Sequence, residues 1–134
     1  MEIPAAFVMI SHMELLLEPG ETWWGGAVAD ADDMPYGGFA FERDLRNSLG
    51  HTQGNPVLLS STGRYIWSGS AFRIRTEDFT VHAESTAEDL VTGRGGGCLR
   101  DAFGAVSAMF FPASGAAPDA RLFSAPQYNT WIEL

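Results

Sequence analysis

Lysine is absent from this chain of 134 residues: its eight basic residues are all arginine, set against seventeen acids for a formal net charge of −9. The deficit reads as codon bias and not as mechanism. An acidic surface without a basic stripe excludes nucleic acid and anionic membrane as natural partners. Cysteine is nearly missing too. Cys98 alone cannot close an internal disulfide, so no covalent staple is available. No apolar run approaches the ~20 residues of a membrane span. Residues 1–10 are mildly apolar but carry neither a basic stretch nor a small-residue cleavage pattern. Together with the lone thiol, this favours a cytoplasmic setting. Helical periodicity is also scarce, which leaves few architectures other than β.

What is present fits that class. The apolar fraction of 46% excludes a disordered chain and suits one ordinary core. Alternation with period two recurs at residues 7–10, 13–17, 22–29, 57–60, 64–68, 71–75 and 79–83, with a weaker run at 90–92 and a short one at Phe39 and Phe41. Phe72 and Ile74 face one way and Arg73 and Arg75 the other, while Phe79, Val81 and Ala83 share a face. Pro19 and Gly20 stand where a type II turn wants them. Residues 30–38 are acidic and loop-like, and 45–55 are irregular. Residues 93–97 read as a flexible glycine bridge into the single helix, 99–111, whose stripe is Leu99, Phe103, Val106 and Phe110. Pro112 stops it. A linker then leads to a last alternating run that holds Tyr128, Trp131 and Glu133, preceded by Pro126. This predicts a mainly β protein, an antiparallel β-sandwich with one C-terminal helix.

No catalytic set assembles. His12, His51 and His82 are far apart, none at metal-ligand spacing, and His82 reads as a surface residue. The stretch around Ser68 lacks the frame of a nucleophile elbow. The expected catalytic residues, metal ligands and cofactors are therefore none. Asp30, Asp32 and Asp33 admit two readings, a solvated loop with at most weak calcium affinity, or carboxylates offered to sugar hydroxyls. The aromatics also divide. Most belong in a core, but Trp24 beside Gly25 and Gly26 could stack on a pyranose, because paired glycines let a ligand come close.

Seven segments in order resemble the N-terminal region of bacterial glycoside hydrolase family 31 enzymes. They are ELLLEPGETWWGGAVAD (14–30), MPYG (34–37), FERDL (41–45), PVLLSSTGRYIWS (56–68), LRDAF (99–103), FPASG (111–115) and APQYNTWIEL (125–134). The resemblance implies a galactose-mutarotase-like sandwich over residues 1–97, a helix and linker over 98–122, and the first strand of a truncated (β/α) barrel over 123–134. It also implies retaining hydrolysis of α-glycosides by two carboxylates held ~5–5.5 Å apart, both on barrel strands that follow. The chain itself should be inactive. What transfers is support for the barrel and an outer sugar subsite, with Trp24, Asp30, Asp32, Trp131 and Glu133 as candidate contacts and an α-glycoside as the partner molecule. Two departures stand out: the acidic pair expected after Trp67 and Ser68 is missing, and Cys98 is a poor N-cap. A free-standing carbohydrate-binding sandwich and an inactive remnant are the alternatives.

Overall fold

The computed structural model describes residues 12–47, 49, 52–87 and 89–127. The runs expected at 7–10 and 128–134, with Trp131 and Glu133, lie outside them, as does His51. The strands are β1 (His12–Leu16), β2 (Trp23–Ala27), β3 (Phe41–Asp44), β4 (Gly54–Ser60), β5 (Arg64–Trp67), β6 (Arg73–Glu77), β7 (Thr80–Glu84) and β8 (Val91–Arg94). They form two four-stranded antiparallel sheets, ordered β1-β7-β6-β3 and β2-β4-β5-β8. Met13, Ile74, Val81 and Ala83 of the first sheet meet Trp23, Ala27, Leu58 and Ile66 of the second in one core, closed by Tyr36, Phe72 and Leu90. The expected two-sheet β architecture is thus observed.

The local signals worked where one residue type decides the backbone. Gly20 has φ +72° and the Glu21 N–H donates to the Glu18 carbonyl at 3.0 Å, as a type II turn requires. Ile74 is fully buried and Arg73 and Arg75 face outward. Phe79 is a correction. It does not share the face of Val81 and Ala83 but sits with Asp78 at the tip of the β6–β7 hairpin, both residues at positive φ, and is 64% exposed. Its ring lies over Gly38, where a Cβ would come within 2.8 Å of it.

The turn after β5 is no hairpin: it carries the chain from the second sheet to the first. Asp89 binds that crossing to the return crossing after β7, accepting hydroxyl hydrogen bonds from Ser68 and Ser85, each at 2.7 Å. Burial would raise its pKa, but those serines outweigh it and hold the carboxyl below its usual range.

The helix α1 (Leu99–Phe110) lies on the outer face of the second sheet, so that sheet is covered on both sides. Asp101 and Cys98 begin it with a reciprocal capping box: the Asp101 carboxylate accepts from the Gly97 and Cys98 N–H groups at 2.8 and 3.2 Å, and the Cys98 side chain takes the Asp101 N–H, so the residue expected to cap poorly does take part. The expected stripe is only half right. Ala102 and Val106 are buried, Ala105, Met109 and Phe110 pack on Val57, Tyr65 and Val91, and Phe110 stacks on Trp67 with centroids 4.0 Å apart. Leu99 and Phe103 remain exposed, Phe103 at 62%. Val106→Ala should therefore cost more than ~1 kcal/mol in urea unfolding, with Phe103→Ala within about 0.5 kcal/mol of the parent.

Residues 93–97 are also more fixed than a flexible bridge. Gly93 and Arg94 belong to β8, and the Gly95 N–H donates to the Gly63 carbonyl at 2.8 Å. Past α1 every described residue from Phe111 to Gln127 is exposed. A helical turn, α2 (Arg121–Ser124), stands where the linker was expected to give way to a strand, and it holds Leu122 and Phe123 in solvent.

Candidate functional site

The site is built from the Gly25 and Gly26 pair. Opposite them β4 bulges: Gly25 pairs with Leu58 but Gly26 pairs with Asn55. Gly25 has φ +128°, and a Cβ there would stand 2.1 Å from the Val57 carbonyl oxygen. Only glycine fits. The bulge leaves an open groove of about 450 Å³ between edge strand β2 and α1, walled by Trp24, Gly25, Val57, Leu59, Phe103, Val106 and Phe111. Its polar members are Asn55 and Ser107. Among the described residues no titratable side chain lines it, and the groove offers a stacking surface and two neutral hydrogen-bonding groups. A volume in the ~300–1,000 Å³ range is ordinary for a small-ligand site. Trp24 is thus placed where a sugar ring could lie against it.

The acidic loop behaves differently. Residues Val28–Asp33 form a 3₁₀ turn that directs Asp30 inward. Asp30 is 1% exposed, and Arg43 donates to both of its carboxylate oxygens, one at 2.7 Å. Its two neighbours in the acid cluster, Asp32 and Asp33, are exposed. The pair anchors the loop, with Tyr36 stacked on Phe41 at 4.2 Å and its hydroxyl donating to the Gly25 carbonyl at 3.0 Å. Burial first, then the charges of Asp30 and Asp33, push the Tyr36 phenol well above its ordinary value. Asp30 is thus neither a solvated loop residue nor open to a ligand: its carboxylate is buried against Arg43. Asp32 stays accessible but does not line the groove.

A second constellation had no signal in the spacing of residues. His12 and Glu14 alternate onto the outer face of β1, and the register sets His82 of β7 opposite Glu14. His12 Nε2 is 3.1 Å and His82 Nδ1 3.3 Å from Glu14 Oε1. His82 is no plain surface residue, since its side chain is only 13% exposed. Only the strand register could have revealed this.

No protein-family model matches the chain, and no curated protein matches it.

Proposed function

We propose that this chain is the non-catalytic β-sandwich of a retaining α-glycosidase of the family 31 type, with a galactose-mutarotase-like topology, whose task is to buttress a catalytic (β/α) barrel. The observation that carries the reading is the uncovered apolar surface. Phe103, Phe111, Leu122 and Phe123 are 53–77% exposed, and among the described residues no core closes over them. Phe103 and Phe111 share the wall of one groove, and exposed apolar side chains that lie together mark an interaction surface. The order of the seven motifs supplies the identity of what would cover it. The groove's lack of titratable groups agrees with support and not chemistry.

In isolation the chain should self-associate through this surface and hydrolyse no α-glucoside, α-xyloside or α-galactoside. Sedimentation velocity should show dimers or larger species that dissociate when Phe103, Phe111 and Phe123 are all changed to Ser. A monodisperse monomer, or turnover by the chain alone, refutes the proposal.

The Trp24 groove favours one further reading, a carbohydrate contact at the outer subsite or in a free-standing module. In a full-length enzyme carrying this sandwich, Trp24→Ala should raise KM for extended α-glycosides several-fold at unchanged kcat. Unaltered kinetics remove the subsite.

A further inference from the structure

We propose that His12, Glu14 and His82 form a binding site for a divalent first-row transition-metal ion on the outer face of the first sheet. Two imidazoles and a carboxylate are a donor set that suits zinc and its neighbours. Metal–ligand bonds of ~2.0–2.2 Å set neighbouring ligand atoms about 3.3 Å apart around a tetrahedral centre. The two separations here are 3.1 and 3.3 Å, and all three ligand atoms lie within 4.8 Å of one another. Turning the exposed His12 ring closes the third edge.

Two further observations point to a cation. His82 Nδ1 is buried and makes no hydrogen bond, although it faces the Glu14 carboxylate. A lone pair aimed at a carboxylate is unfavourable unless a proton or a metal ion stands between them. On the far side of the ring His82 Nε2 is 3.9 Å from Glu77 Oε1, too far for a hydrogen bond. The second observation is charge: Glu42 and Glu77 are paired with Arg73 and Arg75, which leaves Glu84 and the Glu14 carboxylate as the acids that favour a cation on this face. Exposed on one side, the ion would keep water in its remaining position and clamp edge strand β1 to β7.

The test titrates Zn²⁺ into the chelator-treated full chain by calorimetry, with thermal melts at each free Zn²⁺ concentration. One saturable equivalent is expected, with a melting temperature that climbs with free metal. His82→Ala and His12→Ala should each abolish the saturable site, and His51→Ala should leave it intact. If His82→Ala fails to fold by circular dichroism, His12→Ala, at an exposed position, decides. Binding unchanged in the His12 variant, or no saturable site in the parent chain, overturns the proposal.

Discussion

Replacing Glu21 by Ala should cost about 3–5 kcal/mol in urea unfolding at neutral pH, because it strands a buried charge. Glu21 is 3% exposed. Arg64 donates to both of its oxygens, one at 2.9 Å, and Thr62 donates at 2.7 Å. The same guanidinium lies 5.6 Å over the Trp23 ring and donates to the Leu16 carbonyl. Removing the acid leaves Arg64 largely desolvated over the largest side chain of the core, with only the Glu18 carboxylate, 3.9 Å from its Nε, to offset its charge. A measured loss below ~1 kcal/mol would mean that the pair is exposed to water.

The same group dictates how the fold answers to acid. Burial alone would raise the Glu21 pKa, but Arg64, the Glu18 N–H and the hydroxyls of Ser60 and Thr62 outweigh it and hold the carboxyl at about 2, down from an ordinary 4.5. A depressed folded-state value means that the folded chain releases this proton more readily than the unfolded one. Its contribution is therefore complete above about pH 4.5 and drains away as the pH falls towards 2. An acid titration followed by circular dichroism should show stability falling through that window. Glu21→Gln should start lower and fall less.

Gly25→Ala is the second large effect. Its methyl group would meet the Val57 carbonyl oxygen at 2.1 Å on a backbone at φ +128°. Strain and overpacking at ~1–3 kcal/mol each give a loss of about 2–6 kcal/mol. Gly20→Ala is the control: φ is +72° but nothing lies within 4 Å, so only the left-handed cost of roughly 1–2 kcal/mol applies. Equal losses for the two variants would show that β4 yields at the bulge.

The sequence was most legible where the physics is local. Alternation placed Phe72 and Ile74 inside and the intervening arginines outside, Pro19 and Gly20 dictated their turn, and the glycine pair singled out Trp24. It was silent where a distant partner decides. Asp30 looks like a solvated acid until β3 brings up Arg43, and His82 looks like a surface residue until the register brings up Glu14. Phe79 shows a different failure, since the alternation of β7 runs on unbroken into a hairpin tip. For α1 the apolar residues extend around the helix. Composition says which side chains avoid water, but the small Ala102 and Ala105 allow the closest approach to the sheet, and so their side is the one covered.

The chain changes sheet between β1 and β2, β2 and β3, β3 and β4, β5 and β6, and β7 and β8. Like lacing drawn through both sides of a shoe, this routing leaves each sheet a single hairpin of consecutive strands, β4–β5 in one and β6–β7 in the other. Neither can therefore loosen while the other stays whole, and the sandwich is held or lost as a unit.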